Sequence, residues 1–365
     1  MHIGIVGAGQ LGQMMAQAGA PLNIEFTFLD PAEAPCAAPY GKLLTADWDN
    51  ANALQALTES ADAITFEFEN VSPRALEQLS SHRPAFPPPN ALETSRDRLL
   101  EKSLFASLDI PLPPIARIDS QSDLEEAVAR VGLPAVLKTR TLGYDGKGQK
   151  VLRHERDIAE TFEELGGVPL ILEGFVDFDH EVSVIAVRGR DGETHFWDIS
   201  ENEHRAGMLH CATPRQQHPF RQDAFHYAGR VMDTLHYVGV MAFEFFVTSN
   251  GLIANEIAPR VHNSGHWSIE GAQTSQFENH VRAVAGLPLG TTALLAPCAM
   301  LNIIGAMPPA EALLAIPGAR LHDYNKAPRP GRKIGHVTVL ADNDEELKQR
   351  IALVETVLIN DLGQS

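Results

Sequence analysis

Residues Val240–His266 read VMAFEFFVTSNGLIANEIAPRVHNSGH, and the way this segment folds decides the rest of the chain. Val240–Val247 and Leu252–Ile257 have the β-branched and aromatic content of two strands, and Ser249-Asn250-Gly251 between them suits a three-residue hairpin loop closing on a glycine. That loop sets Glu244 opposite Glu256. Opposed residues of an antiparallel pair have Cβ atoms about 4.5–5.5 Å apart, so like charges there destabilise the sheet unless a cation lies between them. Magnesium suits such a pair, since it takes oxygen ligands and is usually shared with substrate phosphates. The competing reading is two solvent-facing glutamates on an edge strand. Beyond the hairpin, Pro259–His266 is polar and irregular, which fits a substrate loop in which Arg260 holds an oxyanion and His262 hydrogen-bonds or moves a proton.

The surrounding chain is that of a globular protein. Its 365 residues are 44% hydrophobic and 21% charged, enough for a sizeable core and two or three domains. A formal charge of −18 disfavours a nucleic-acid partner. Against that background Tyr324–Lys333, YNKAPRPGRK, carries four cations and no acid, which suits one phosphate as well as it suits a solvated basic turn. Cys36, Cys211 and Cys298 have no paired spacing, so neither a disulfide framework nor a zinc site is expected, and a reducing cytoplasm fits. The opening MHIGIV lacks the features of a signal peptide. The most apolar stretch, near Ala293–Met307, is interrupted by Pro297 and Asn302, so no membrane span is expected.

At the N-terminus a buried-type strand, His2–Val6, runs into Gly7-Ala8-Gly9-Gln10-Leu11-Gly12 and a helix, and a second strand ends at Asp30. This G-x-G-x-x-G turn predicts a doubly wound α/β domain with a parallel sheet. Its ligand is open: a dinucleotide on the helix N-terminus, or a turn that serves only packing. A helix over 50–60, a strand at Ala63–Phe66 and then Glu67-Phe68-Glu69-Asn70 continue the pattern, with polar groups where such sheets bind ligands. Phe86-Pro87-Pro88-Pro89 marks a domain boundary. One helix is expected over 90–107, with Asn90 and Glu93 as a capping box and Arg96, Arg98 and Lys102 able to turn inward. Ser122 with Glu125 signals the next helix, and strand 135–140 bears Lys138.

After that strand comes Leu142–Gln149, LGYDGKGQ. Glycines let backbone amides converge on an anion and a strand lysine adds a point charge, an arrangement closer to glycine-loop phosphotransferases than to a Walker motif. A plain mobile hairpin is the alternative. LILEGF at Leu170–Phe175 and the alternating Glu181–Arg188 read as strands, with His204 and His210 in a following loop.

Taken together, the strand lysine, the GYDGKGQ loop, the glutamate of LILEGF and the two-glutamate hairpin resemble the ATP-grasp superfamily. More narrowly, TFEFENV from Thr65, RDRLLEK from Arg96, LKTRTLGYDGKGQ from Leu137, NEIAPRVHNSGHW from Asn255 and RPGRKIGH from Arg329 resemble the N5-carboxyaminoimidazole ribonucleotide synthetase family of purine biosynthesis, in that family's order. The resemblance implies an α/β and α+β chain: a Rossmann-like pre-ATP-grasp domain over 1–89, a two-part ATP-grasp domain over 90–290 with a glycine-loop lid about 115–175, and a C-terminal region over 291–365. It implies ATP- and bicarbonate-dependent carboxylation of the exocyclic amine of 5-aminoimidazole ribonucleotide, with Mg2+, in a cytoplasmic homodimer.

By position, the family's roles fall as follows. Arg98, Lys138, Gly143, Tyr144, Asp145, Gly146, Lys147, Gly148, Gln149 and His204 attend the ATP phosphates or their lid. Glu173, Gly174, Phe175 and Val176 hold adenine and Glu181 the ribose, with Asn255 beside the nucleotide, while Glu244 and Glu256 bind the metal. Gln10, Glu67, Tyr144, Asp145, Arg260, His262, Lys326, Arg332 and Lys333 enclose the ribonucleotide, and Arg260, His262 and Lys138 are the catalytic candidates. Two positions depart from the pattern. Ala258 stands where many ATP-grasp enzymes have the asparagine of their second metal motif, leaving the shell to water or Asn263, and Val261 replaces a frequent proline. A nicotinamide-dependent oxidoreductase using the GAGQLG turn, and a non-catalytic nucleotide sensor, are the competing functions.

Overall fold

The computed structural model describes residues 1–143 and 148–362, arranged on three sheets. The first is parallel, with strands His2–Val6, Glu25–Asp30, Lys42–Thr45 and Ala63–Phe66 in the order third, second, first, fourth. Its two faces bury alternate residues. Ile3, Ile5, Phe26 and Phe28 pack with Met14 and Met15 of helix Gln10–Gly19, while Val6, Leu29, Ile64 and Phe66 pack with Leu54 and Leu57 of helix Ala51–Ser60. This is the doubly wound domain expected from the glycine turn. The strand order reverses between His2–Val6 and Ala63–Phe66, so the turn at Gly7–Gly12 and the loop at Glu67–Asn70 share the crevice at a switch point.

The second sheet is antiparallel, ordered Ile115–Ile118, Leu170–Gly174, Ala135–Thr139, Gln149–Leu152, with helix Gln121–Val131 against it. The third has nine strands and carries the hairpin of Gly239–Thr248 and Gly251–Ala258 at one edge. The interrupted apolar stretch contributes strand Cys298–Ile304, which lies inside this sheet between Met208–Arg215 and Lys333–Leu340. Among the described residues no helix is long and apolar enough to cross a membrane.

Several local expectations are corrected. Residues 90–107 form two helices, Pro89–Arg96 and Arg98–Ser107, because Asp97 turns extended (φ −116°, ψ 109°) and caps the second through Leu99 N–H at 2.9 Å. The Asn90–Glu93 capping box is absent: Pro89 takes the first helical position, and Asn90 Nδ2 donates to Leu235 O at 3.3 Å. Ser120, not Ser122, caps the next helix by accepting Asp123 N–H at 3.2 Å. His204 and His210 lie on paired strands, Ile199–Arg205 and Met208–Arg215, where a loop was expected. The polar run ISENEHR hides its alternation, since Ser200 and Asn202 are buried through hydrogen bonds to Ser264 O and Ser183 Oγ.

Helix Gln276–Ala285 ties the first sheet to the third through the fully buried His280. Its Nδ1 accepts Val240 N–H at 3.0 Å, so Nε2–H is the donor to Thr65 Oγ1 at 2.8 Å. Burial pushes its pKa down to about 4 from 6.5. The unfolded chain therefore binds the extra proton across that interval, and the stability contributed by the neutral imidazole is complete above about pH 6.5 and declines toward pH 4. We expect melting temperature to fall with pH through this window. His280→Leu, which orphans two buried groups, should destabilise by about 2–4 kcal/mol at neutral pH and flatten part of the acid slope; an unchanged slope would exclude His280 as its source.

Candidate active site

A cleft of about 840 Å³ runs from the glycine turn of the first sheet, past the hairpin, to the strands of the second sheet. The hairpin supplies its floor. Glu244 does face Glu256, but by a different route from the one expected. The turn is two residues long, with Thr248 pairing Gly251, and an extra residue in the second strand shifts the register between Glu244 and Phe245. Two errors cancelled: an over-long loop and an unforeseen bulge give the same opposed pair.

The two carboxylates have different surroundings. Arg98 Nη1 donates to Glu256 Oε2 at 2.7 Å. Burial, which would raise the Glu256 carboxyl, is outweighed by Arg98, and its pKa lies well below the usual range. Glu244 has no such cation: burial, then Glu256 and Glu181, push it up to about 8. Its Oε1 lies 3.1 Å from His262 Nε2, and burial, Arg260 and Lys333 drive that imidazole down to about 3. The imidazole is therefore neutral at neutral pH. His262 Nδ1 accepts Ser264 N–H at 3.3 Å and lies 2.8 Å from Ser264 Oγ, so the neutral imidazole carries its proton on Nε2 and donates it toward Glu244 Oε1.

Other expected residues line the same cleft. Lys138 Nζ donates to Glu173 Oε2 at 2.7 Å, and both are nearly buried. His204 Nδ1 lies 3.5 Å from Glu181 Oε1. Arg260 bonds Glu69 through Nε at 2.7 Å and Nη2 at 3.4 Å, joining the substrate loop to the first sheet. Gln10, Gly143, Gln149, Phe175, Asn255 and Lys333 also form its walls. Lys326 Nζ reaches Gln10 Oε1 from the C-terminal segment. Arg332 stands near enough to Lys326 to help lower its pKa, after burial, and its guanidinium donates to Ala327 O at 3.3 Å. Gly174 and Val176 flank Phe175 at the end of the Leu170–Gly174 strand, and Gly148 lies beside Thr139. Tyr144, Asp145, Gly146 and Lys147 lie outside the described residues.

The glycine turn holds an anion from within the chain. Glu67 Oε2 accepts Gly9 N–H and its Oε1 accepts Leu11 N–H at 3.3 Å, while Asp30 accepts Ala8 and Ala32 N–H at 3.0 and 2.9 Å. A Cβ at Gly9 would fall 2.3 Å from Glu67 Oε1, so glycine is needed there for this carboxylate's approach. The place a dinucleotide pyrophosphate needs is taken. Asn263 is likewise engaged, its amide paired with that of Asn302 at 3.0 and 2.6 Å.

Three family models match in the order of the sheets: a ribonucleotide synthetase pre-ATP-grasp domain over residues 1–96, an ATP-grasp domain over 103–277 and a phosphoribosylaminoimidazole carboxylase C-terminal domain over 298–350. The N5-carboxyaminoimidazole ribonucleotide synthase of Pseudomonas aeruginosa is 53% identical over 98% of this chain and 99% of its own. This chain belongs to the N5-carboxyaminoimidazole ribonucleotide synthase family. The crystal structure of the Thermus thermophilus synthetase superposes with a TM-score of 0.93 at 48% identity, over 97% of this chain and 98% of that one. That of the Aspergillus clavatus synthase, in complex with ADP and 5-aminoimidazole ribonucleotide, does so with a TM-score of 0.90 at 30% identity, over 98% of each chain. Neither the oxidoreductase nor the sensor reading finds support among these family members.

Sequence reasoning missed several residues of this family site. Phe246 stacks on Phe178 with ring centroids 4.6 Å apart, and both line the cleft. The signal was present, because Phe246 is two residues from Glu244 and so on the same strand face. Glu69 had only been noted as part of a polar loop; its pairing with Arg260 joins segments 191 residues apart, which no local pattern reveals. Because Glu67 caps the glycine turn, we expect fluorescence titration with reduced nicotinamide cofactors to show no saturable binding. Saturation that Glu67→Ala does not alter would contradict this account of the turn.

Proposed function

We propose that this chain carboxylates the exocyclic amine of 5-aminoimidazole ribonucleotide at the expense of ATP and bicarbonate, giving N5-carboxyaminoimidazole ribonucleotide, ADP and phosphate in purine biosynthesis. The observation that carries this reading is one continuous cleft lined by the opposed glutamates and Lys138, by Arg260 and His262, and by Glu67, Gln10 and Lys333. Such a cleft offers cations and oxygen donors to a triphosphate and to a second anionic substrate together. Family membership supports the same reading.

A divalent cation fits the donor set. Glu244 and Glu256 are opposed oxygen donors, and burial followed by the charges of Glu256 and Glu181 raises the Glu244 carboxyl, a cost that a cation would relieve. Glu244 and Glu256 would hold magnesium, which would supply charge neutralisation at the transferring phosphoryl group. For the chain's own part, Arg98, Lys138 and His204 are assigned to the phosphates. The rim around Glu173–Val176 is assigned to adenine, with Glu181 at the ribose. A bicarbonate oxygen attacks the γ-phosphate and ADP leaves, giving carboxyphosphate. Arg260 then orients the carboxylate or the carbon dioxide it releases, and the amine attacks that carbon. His262, neutral with its proton on Nε2, hydrogen-bonds at the reacting centre, and the phosphate released from carboxyphosphate can take the amine proton. Lys326, Arg332 and Lys333 are assigned to the ribonucleotide. A division into 1–89, 90–290 and 291–365, a homodimer and a cytoplasmic setting complete the proposal; the three sheets and the absence of disulfide spacing favour the first and last.

We expect a coupled assay to release ADP only when bicarbonate and 5-aminoimidazole ribonucleotide are both present, with glycinamide ribonucleotide and biotin inert. ADP release indifferent to the amine would refute the assignment. Arg260→Ala should lower kcat by about 10²–10³-fold, in line with loss of one oxyanion donor. A second expectation concerns protons. Glu244 is protonated at pH 7 because its pKa is near 8, so binding ADP with Mg2+ should release up to one proton, and affinity should rise with pH until about 8. Calorimetry in two buffers of different ionisation enthalpy measures that proton, and heats that do not depend on the buffer would exclude Glu244 as its source.

A further inference from the structure

The opposed glutamates depend on the bulge, and the bulge is held from outside the sheet. From the turn outward the hairpin pairs Thr248 with Gly251, Val247 with Leu252, Phe246 with Ile253 and Phe245 with Ala254. A ladder continued without a break would set Glu244 opposite Asn255 and place Glu256 on the other face of the sheet, away from the cleft. The inserted residue corrects this. A bulge, however, leaves its extra residue without ladder partners, and an unsatisfied backbone group in a buried setting is costly.

Gly251–Ala258 is the edge strand, and two consecutive side chains of helix Arg98–Ser107 bond backbone groups on its open edge at and beside the bulge. Lys102 Nζ donates to Asn255 O, and Glu101 Oε1 accepts Ile257 N–H at 2.7 Å, so the residues on either side of Glu256 are each held. Glu101 Oε2 and Lys102 Nζ are 3.1 Å apart, and the two residues are 1% and 0% exposed. Both side chains are almost fully buried, Glu101 against the cleft itself, and replacing one alone would leave a buried charge without its partner. The same helix also fixes the end of the Lys138 strand, because Arg98 N–H donates to Arg140 O at 2.9 Å and Asp97 accepts Arg140 through two nitrogens at 3.1 and 2.5 Å.

We propose that Glu101 and Lys102 are positioning residues: they hold the Asn255 bulge in register, and thereby turn Glu256 onto the same face as Glu244, where the metal–nucleotide complex binds. The inference rests on the functional reading above only for the identity of that ligand. Its decisive readout is the gain in ADP affinity that added Mg2+ brings over EDTA, measured by calorimetry without turnover. In Lys102→Met this gain should shrink by about 10–100-fold, as for loss of residues that orient metal ligands, while affinity for ADP in EDTA stays within about threefold of wild type. Glu101→Gln, which keeps an acceptor for Ile257 N–H, should retain most of the gain, whereas Glu101→Leu should not. The double variant Glu101→Leu/Lys102→Met should regain thermal stability relative to Lys102→Met without regaining the Mg2+ effect. Recovery of both, or a full Mg2+ effect in Lys102→Met, would overturn the proposal. Should the variants fail to fold, hydrogen exchange of the wild-type chain decides it: the Ile257 amide should be among the slowest in the hairpin, and exchange as fast as at Ser249 and Asn250 would refute the clamp. A wild-type chain that shows no Mg2+ effect would instead count against the functional reading, so the two failures are distinguishable.

Discussion

Two carboxylates facing each other across adjacent strands are the constraint to which the rest of the site responds. Placed side by side in a part-buried cleft, they cannot both ionise without compensation. The structure resolves the conflict asymmetrically. Glu256 takes a guanidinium from the helix that follows the first domain, whereas Glu244, raised by burial and by Glu256, accepts Nε2–H of an imidazole from the loop beyond the hairpin. One hairpin thus recruits Arg98 from one side and His262 from the other, and Arg260 of the same loop reaches Glu69 of the first sheet. A chain with formal charge −18 concentrates its buried cations around this floor.

The same principle explains how one glycine fingerprint can serve a different end. In Gly7–Gly12 the tight turn and the close approach at Gly9 are both present, yet the anion that approaches is Glu67. Burial raises this carboxyl to about 7 against the pull of the Gly9 and Leu11 amides. The backbone amides of the turn are therefore satisfied internally. What faces the cleft is Gln10, bridged to Lys326 from more than 300 residues away in sequence. The fingerprint specified the strand, the turn and the helix, because those are local properties of glycine spacing. It could not specify the occupant, which depends on a residue of the fourth strand's loop.

Legibility elsewhere followed the same division between local and distant causes. The strands His2–Val6 and Ala63–Phe66 were legible to the residue because their apolar runs are bounded by turn residues. The strand Ile199–Arg205 was not, since its inward residues are polar and satisfied by Ser264 and Ser183, partners that the sequence places 64 and 19 residues away. The break at Asp97 was hidden because its carboxylate is drawn to Arg140. In the site, residues on the hairpin and its loop could be named from spacing alone, whereas Glu69, Glu101 and Lys102 acquire their roles only through contacts across the fold. Glu244 and Glu256 were paired correctly for a partly wrong reason, which shows that a register can be right while its turn is wrong whenever a bulge compensates.

The ion pairs of the cleft have a common arrangement that bears on how it receives anions. Arg98 rests on Glu256, Lys138 on Glu173 and Arg260 on Glu69. Each cation is thus prevented from being an isolated charge in a partly dry cavity, where desolvation would cost several kcal/mol. Such pairs contribute little to net stability, so their value lies in geometry: they hold each cation in a fixed position along the cleft. An arriving phosphate or carboxylate then exchanges one anionic partner for another, with little rearrangement of the side chains that bind it. Reactive carboxyphosphate makes that economy matter, because every side chain that must move after its formation gives water time to enter. A floor whose charges are already matched and held in place is one on which the intermediate can be made and consumed without such delay.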